Sequence, residues 1–268
     1  MKCAFIKLSP TQNMTVLVTS PVPRERQSAV AEKLIGYANV HAEQAGFWEK
    51  PNLPGARARL QMMGGEFCGN AAMSLAACIA RKDALAAGDI CSVALEVSGA
   101  PGICGCEVLR TGETAFVCRV NMPLPESVEN RNGMTLVRMP GIAHFIVPHL
   151  CENREDAGRD IRLLAEQVSE DAVGLVFFRE QSAEIEPLVY VRGTDSCVWE
   201  RGCGSGSAAV GAMLARRNRA DVKIRLKQPG GVIETEAVWT NGALTGLTIR
   251  GQTRVVAEGT AYIEDEPF

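Results

Sequence analysis

The sequence predicts an α+β protein made of two pseudo-symmetric halves, each a curved, mainly antiparallel sheet around a central helix. Three observations support this fold class: one segment occurs twice, short strand-like stretches flank both copies, and only four segments have helical periodicity. With 268 residues, the chain is long enough for two small domains. We expect an N-terminal half at residues 1–122 and a C-terminal half at 123–268, whose final strand is free to cross back to the first half.

The repeated segment consists of residues 68–82 and 203–217, which align without a gap. Both copies begin with Cys-Gly and end with Ala-Arg and a further basic residue, and both space their apolar residues as one face of a helix. The closing basic side chains fall in the last turn, where cations interact favourably with the helix dipole. Each copy is therefore predicted to be a helix that starts at its Cys-Gly pair.

Strand-like segments lie on both sides of the repeated helices. Residues 57–62 and 188–192 precede them, and residues 93–99 and 223–227 follow them. The turn at Gln228–Gly231 ends the last of these strands. The four helices predicted from periodicity span residues 27–36, 69–82, 159–168 and 204–217.

Composition and charge limit the partners of the chain. Lys and Arg number 28 against 31 Asp and Glu, so no basic surplus is available to neutralise a nucleic-acid backbone. The longest apolar stretch, residues 71–80, is far shorter than a membrane span, and the N-terminus lacks the apolar region of a signal peptide. We therefore expect a cytoplasmic protein that binds a small molecule rather than nucleic acid or a membrane. A homodimer is compatible with the sequence.

Two of the ten cysteines stand out by their position. The cysteines lack the spacing of a disulfide framework, and eight are interpreted as small buried apolar residues. Cys68 and Cys203 each open one copy of the repeat, where the N–H groups and dipole of a helix lower the pKa of a thiol and bind a carboxylate. Two such thiols can invert the Cα of an amino acid, since one removes a proton while the other delivers one to the opposite face. That reaction needs no cofactor.

The residues around both cysteines resemble the two cysteine motifs of the diaminopimelate epimerase-like superfamily. These motifs are Gly64–Ala72 and Glu200–Gly206, and Asn13 stands in the position of an asparagine in the substrate loop. His144 and the late double-glycine turn match the superfamily too. Within it, the chain is most similar to the histidine racemases of opine-type (staphylopine-like) metallophore biosynthesis. The segments that carry this closer similarity are residues 13–18, 43–47, 65–74, 228–231, 250–252 and 259–264.

The resemblance implies an amino-acid racemase that uses neither cofactor nor metal, with Cys68 and Cys203 as the two bases and histidine as the substrate. The substrate contacts that it implies come from Asn13, Asn70 and the backbone of Gly69, Gly204 and Ser205.

Three further side chains are candidates for the same site. Glu43 is interpreted either as a carboxylate that pairs with the substrate side chain or as an ordinary surface glutamate. Glu200 either orients the substrate ammonium or tunes Cys203, or it is a solvated charge at a strand end. His144 is expected behind the substrate contacts or as a structural histidine.

Diaminopimelate epimerase is the alternative within the superfamily. Those enzymes hold the distal carboxylate with asparagines, whereas the corresponding segments here, Gly141–His144 and Val173–Phe177, contain none. The arginine that follows the first Cys-Gly-Asn is replaced by Met73 and Ser74. Because the Glu-Arg-Gly triplet directly adjoins the second cysteine, Arg201 is not assigned a role on the distal carboxylate. These departures disfavour a substrate with a second carboxylate.

Two alternatives from other classes remain open. Cys203–Ser207 is rich enough in glycine and serine to hold a phosphate, as in a nucleotide or pyridoxal phosphate protein, although Cys68–Ala72 lacks that glycine density. The number of cysteines, together with His149 and Cys151 near His144, also suggests a thiol-metal binding or redox module. Spacing alone does not guarantee the convergent geometry that metal ligands need.

Overall fold

The computed structural model describes residues 1–264 and confirms the α+β fold class. Its residues form two compact units: Met1–Val120 together with the chain from Gly251 onward, and Asn121–Arg250. We call them the first and the second unit. The helices of the described residues are α1 Arg24–Ile35, α2 Gly69–Lys82, α3 Arg154–Ala165 and α4 Gly204–Asn218.

Strands make up most of both units. Those of the first unit are β1 Lys2–Pro10, β2 Thr15–Val18, β3 Gln44–Glu49, β4 Ala58–Met62, β5 Ile90–Val97, β6 Ile103–Arg110 and β7 Ala115–Asn121. Those of the second unit are β8 Ser127–Arg131, β9 Met134–Met139, β10 Ile142–Val147, β11 Ala172–Arg179, β12 Glu184–Val191, β13 Ser196–Trp199, β14 Val222–Gln228 and β15 Gly231–Thr240. The long strand β16, Ala243–Tyr262, contributes to both sheets.

The sheet of the first unit runs from β1 through β7 to β16, and β16 pairs back with β1 from Lys2↔Tyr262 to Pro10↔Thr253. The pairs β2–β3 and β4–β5 are parallel, whereas β1–β2, β3–β4, β5–β6, β6–β7 and β1–β16 are antiparallel. Parallel strands need a crossover connection, and α1 and α2 supply the two crossovers. Because residues 69–80 of α2 are all buried, α2 is the central helix of this unit.

The second unit repeats this plan. Its strands follow the order β16-β15-β14-β12-β11-β10-β9-β8, with β13 attached to β12. The parallel pairs are β10–β11, connected through α3, and β12–β14, connected through α4. The central helix α4 packs against β15, β14 and β9. The expected architecture, a mainly antiparallel sheet around a central helix in each half, is confirmed.

The predicted bounds are accurate for the central helices and less so for the outer ones. Residues 69–82 and 204–217 match α2 and α4 to within one residue. The prediction 159–168 for α3 is wrong at both ends. Asn153 starts α3 earlier, because its Oδ1 accepts the N–H groups of Glu155 and Asp156. Helix α1 likewise begins at Arg24 rather than at residue 27, directly after Pro23.

The outer helices cover a second core in each unit. In the first unit, Val30, Ala31 and Leu34 of α1 pack with Val16 and Phe47 of the sheet. In the second unit, α3 covers β10, β11 and β12 in the same way. Among residues 1–264, the helices are all too short or too polar to cross a membrane.

Candidate active site

Cys68 is the N-cap residue of α2. Its backbone is extended (φ −127°, ψ 111°), and its carbonyl accepts the N–H of Ala72 at 2.9 Å. The N–H of Ala71 points at its Sγ, 3.4 Å away. The helix therefore begins at Cys68 as the sequence predicted, with the sulfur in the place of a capping oxygen.

A glutamine joins Cys68 to the loop between β1 and β2. The thiol of Cys68 donates to Oε1 of Gln44 at 3.0 Å. Nε2 of Gln44 donates to Oδ1 of Asn13 at 2.6 Å and to Oγ1 of Thr15 at 2.9 Å. Gln44 and Thr15 are partners in the parallel β2–β3 register, so the sheet itself brings Asn13 close to Cys68.

Cys203 is the N-cap residue of α4 and repeats this geometry in the second unit. Its Sγ receives the N–H of Gly206 at 3.2 Å and lies 3.6 Å from Oγ of Ser205. Its own N–H donates to Oε1 of Gln228 at 2.7 Å. Its side chain is almost completely buried, so the two cysteines share a backbone position but not the same exposure.

The thiol of Cys203 corrects one expectation from the sequence. Burial raises its pKa well above the usual value, and the charge of Glu200 and a hydrogen bond to that carboxylate raise the pKa further. Ser205 and the N–H of Gly206 lower it, but by less. The expectation that the helix start lowers the thiol pKa is therefore wrong for Cys203, because desolvation and a neighbouring negative charge outweigh the dipole.

Gly206 is closely packed at this helix start. A Cβ at this position would lie 3.0 Å from Sγ of Cys203 and 3.2 Å from a methyl group of Val176. The aligned residue of the first unit is Ala71, where the N–H to sulfur distance is longer. Close packing thus accounts for one of the glycines near Cys203, which weakens the argument for a phosphate site.

The remaining predicted substrate contacts lie at the starts of α2 and α4 or near them. Gly69, Asn70 and Gly204 are buried in the first turns, where N–H groups have no acceptor within the helix. Asn13 is buried in the loop after β1, and Glu43 is exposed just before β3.

Glu200 lies between β13 and Cys203. Its N–H donates to the carbonyl of Pro187 at 2.9 Å, and its carboxylate accepts the hydrogen bond from Cys203. The preceding Trp199 stacks on Phe177 with ring centroids 5.9 Å apart, and the Arg154 guanidinium lies 4.7 Å from the Trp199 ring. Glu200 therefore extends from a strand end whose Trp199 contacts both Phe177 and Arg154.

His144 lies on β10 opposite Gly174 of β11. Burial lowers the pKa of its imidazole to about 4, so the ring is neutral near neutral pH. Within the described part of the chain, neither ring nitrogen has a hydrogen-bond partner. A Cβ at Gly174 would lie 2.0 Å from Nδ1, so the glycine makes the space that the ring occupies.

The interpretation of the other eight cysteines as buried apolar residues is confirmed for five of them, whereas Cys91, Cys151 and Cys197 are only partly buried. All ten are free thiols. Burial raises the pKa of Cys78 and of Cys118 to about 12, which makes these thiols poor nucleophiles. Among residues 1–264, no three His, Cys, Asp or Glu side chains converge as a group that could hold a metal ion.

Sequence reasoning missed Gln44 and Gln228 as contacts of the two cysteines. Both belong to motifs that the resemblance singled out, yet neither was selected. Gln44 is the first residue of strand β3, and neighbouring side chains on a strand point in opposite directions. This alternation is the signal that could have separated Gln44 from the adjacent Glu43. Gln44 contacts Cys68, whereas Glu43 lies outside the strand.

The chain is similar in sequence to known racemases. Residues 2–262 match the family model described as the histidine racemase CntK N-terminal domain. The chain is 31% identical to a histidine racemase of Fusobacterium nucleatum subsp. nucleatum, over 97% of both chains. It is 29% identical to a histidine racemase of Staphylococcus aureus, again over 97% of both. The chain therefore belongs to the histidine racemase family and is an isomerase.

Solved structures share the fold at low sequence identity. A hydroxyproline epimerase from Agrobacterium vitis has a TM-score of 0.72 at 11% identity, covering 98% of this chain and 93% of that one. A PhzF-family phenazine biosynthesis protein from Bacillus anthracis has a TM-score of 0.68 at 12% identity, covering 98% of this chain and 100% of that one. These similarities extend over the whole α+β architecture.

Proposed function

We propose that the chain is a cofactor-independent histidine racemase, with Cys68 and Cys203 as the two bases. The observation that carries the proposal is the cysteine N-cap whose sulfur receives an N–H of its own helix, once in each unit. A packing role alone would accept serine or alanine at both positions. The family membership and the histidine racemases of the two bacteria support histidine as the substrate.

The proposed mechanism uses the helix starts for the carboxylate and the sulfurs for the proton. The N–H groups of Gly69, Asn70, Gly204 and Ser205 bind the α-carboxylate and stabilise the charge that moves into it as Cα loses its proton. One cysteine, as thiolate, removes that proton while the other, as thiol, donates its own to the opposite face. After one turnover the two sulfurs have exchanged protonation states. Because each direction requires one thiol and one thiolate, we expect the titrations of the two cysteines to be coupled.

Glu43 and Glu200 are proposed to hold the polar groups of the substrate. Glu43 is exposed and directly precedes Gln44, whose side chain reaches Cys68. We assign Glu43 to the imidazole ring and Glu200 to the ammonium group or to Cys203. The substitution Glu43→Gln is then expected to raise KM for histidine without lowering the melting temperature. Glu107→Gln, at an exposed glutamate of β6, is the matched control.

The decisive experiment compares kcat/KM for L-histidine and LL-diaminopimelate in reducing buffer without added pyridoxal phosphate. A site built to hydrogen-bond a group strongly rejects an analogue that lacks or replaces it, so we expect a clear preference for histidine. A preference for diaminopimelate would overturn the substrate assignment. Stoichiometric, tightly bound zinc in a protein without racemase activity would favour the thiol-metal module instead.

We also propose that the product, D-histidine, enters opine-type metallophore synthesis in the cytoplasm. The similarity of the segments around Asn13, Cys68 and Gln228 to the racemases of that route supports this placement, and free thiols suit a reducing compartment. Deletion of the gene should abolish metallophore production, and added D-histidine should restore it. Metallophore production that persists at the normal level after deletion would contradict the placement.

A further inference from the structure

The hydrogen bonds around Gln44 fix the orientation of its amide. The hydroxyl of Thr15 donates to the carbonyl of Asn13 at 3.2 Å, so Oγ1 of Thr15 is left to accept from Gln44. Nε2 of Gln44 thus has two acceptors, Oγ1 of Thr15 and Oδ1 of Asn13. Rotating the amide by half a turn would place its oxygen against Oδ1 of Asn13 and break both bonds.

The fixed amide presents only its oxygen to Cys68. An amide oxygen accepts hydrogen bonds and has no proton to give. It interacts favourably with the S–H group at 3.0 Å and unfavourably with the lone pairs of a thiolate. Asn13 and Thr15 are both buried, with 2% and 0% of their surface exposed, which makes the amide costly to reorient.

The second unit uses its glutamine differently. Oε1 of Gln228 accepts the backbone N–H of Cys203, and its Nε2 donates to Oγ of Ser207 at 2.8 Å. Gln228 therefore holds the main chain of the cysteine and not its sulfur. The sulfur of Cys203 instead receives an N–H from Gly206, lies near the hydroxyl of Ser205, and donates its own proton to the carboxylate of Glu200.

From this geometry we propose that Gln44 is a positioning residue that stabilises the thiol form of Cys68 before substrate binds. The proposal rests on the proposed function in one respect, the acid–base role of Cys68. Gln44 acts through Cys68 and orients its S–H bond, which is the bond that delivers a proton to Cα.

The test is the pH dependence of Cys68 alkylation by iodoacetamide, read by mass spectrometry of the peptide that contains Cys68. Iodoacetamide reacts with the thiolate, so the rate reports the deprotonated fraction. Gln44→Leu removes the acceptor, and we expect the midpoint to move to lower pH by about one unit. Gln44→Glu replaces the amide by a charged acceptor and should move it to higher pH.

Gln27→Leu is the matched control, because Gln27 is a buried glutamine of the same unit that bonds Val22 and Glu49 instead of Cys68. It should leave the midpoint unchanged. An unchanged midpoint in Gln44→Leu, or equal shifts in Gln44→Leu and Gln27→Leu, would overturn the proposal. If circular dichroism shows that Gln44→Leu does not fold, Thr15→Val replaces it, because this variant frees the Gln44 amide. Thr15→Val should shift the alkylation midpoint in the same direction by a smaller amount. An unchanged midpoint in Thr15→Val would then overturn the proposal.

Kinetics separate this proposal from the proposed function. Since racemisation has an equilibrium constant of one, kcat/KM must be equal for the two enantiomers in every variant. A change in the protonation state of the free enzyme therefore changes kcat and KM in the same direction for a given enantiomer. That direction is opposite for L-histidine and D-histidine. A merely structural defect lowers both kcat values alike. A shifted alkylation midpoint in a protein that racemises no amino acid would refute the proposed function and leave the assignment of Gln44 intact.

Discussion

At the scale of residues, the two cysteines share a position and differ in their surroundings. Both are N-caps whose sulfur receives an N–H of the following turn. Cys68 is partly buried and donates to an amide oxygen, whereas Cys203 is buried beside a carboxylate. The two sulfurs therefore differ in exposure and in the charge of the group that accepts their proton.

We expect Cys68→Ser and Cys203→Ser each to lower the rate of racemisation by about a thousandfold or more, because a serine hydroxyl is a far weaker base near neutral pH. Cys91→Ser and Cys197→Ser are matched controls, one in each unit, at partly buried cysteines away from the helix starts. The measurement is the approach of L-histidine to the racemic mixture, followed by polarimetry. Near-normal racemisation by Cys203→Ser would contradict the two-base mechanism.

The carboxylate of Glu96 gives a prediction on stability and pH. Burial by itself would raise its pKa, but the N–H groups of Asn52 and Leu53, the Asn52 side chain and the charge of Arg59 lower the pKa from 4.5 to about 2. A lowered pKa in the folded state stabilises the protein above pH 4.5, and that contribution is lost as the pH falls toward 2. At neutral pH, Glu96→Gln should therefore reduce the free energy of unfolding by about 2 kcal/mol.

Urea unfolding of wild type and Glu96→Gln over a range of pH checks this expectation. The difference between the two proteins should be constant above pH 4.5 and should shrink as the pH approaches 2. Glu107→Gln, on the exposed side of β6, should track wild type throughout. A difference that grows on acidification would show that the sign is wrong.

At the scale of elements, local signals decide which bounds the sequence can predict. The repeated helices carry their own start, a cysteine N-cap followed by glycine, and their own end, two basic residues, so α2 and α4 were predicted closely. For α3, periodicity misplaced the start, because Asn153 caps a first turn with little apolar character. At its end, the guanidinium of Arg192, distant in sequence, donates to the carbonyl of Ala165, the last residue of α3.

Gly211 lies where helix α4 approaches the sheet closely. A Cβ at Gly211 would lie 2.3 Å from Cγ2 of Thr235 on β15. Alanine gains about 1 kcal/mol in helix propensity, but overpacking a buried contact costs about 1–3 kcal/mol. We expect Gly211→Ala to lower the free energy of unfolding. Gly158→Ala on α3, where nothing lies within 4 Å, should raise it.

The double variant Gly211→Ala/Thr235→Ser isolates the clash, because serine lacks the methyl group in question. Thermal unfolding should show it recovering most of the stability that Gly211→Ala loses, beyond the sum of the single effects. Equal stability of Gly211→Ala and wild type would mean that α4 shifts away from β15 at little cost.

At the scale of the whole molecule, the architecture was predictable from the sequence because the two units repeat it. The self-similar helices and their flanking strands were enough to predict two sheets around two central helices. Contacts between side chains distant in sequence were not predictable in the same way. The hydrogen bond from Cys68 to Gln44 depends on the parallel pairing of β2 and β3, which are separated in sequence by α1. The neutral His144 depends on a glycine of β11 that only the strand register reveals.

The last prediction needs both units at once, since it asks where solvent hydrogen enters. In D2O, the sulfurs exchange their protons for deuterons before substrate binds. In a two-base reaction on L-histidine, one sulfur removes the protium and the other delivers deuterium, so new D-histidine is labelled at Cα while the remaining L-histidine is not. A single base would return deuterium to both enantiomers.

Chiral chromatography with mass spectrometry at low conversion measures the deuterium label at Cα in each enantiomer. We expect label in D-histidine alone, and the mirror result from D-histidine as substrate. Cys203→Ser and Cys68→Ser should at most exchange one enantiomer without inverting it. Equal early labelling of both enantiomers by the wild-type protein would exclude the two-base mechanism, even if histidine is the substrate.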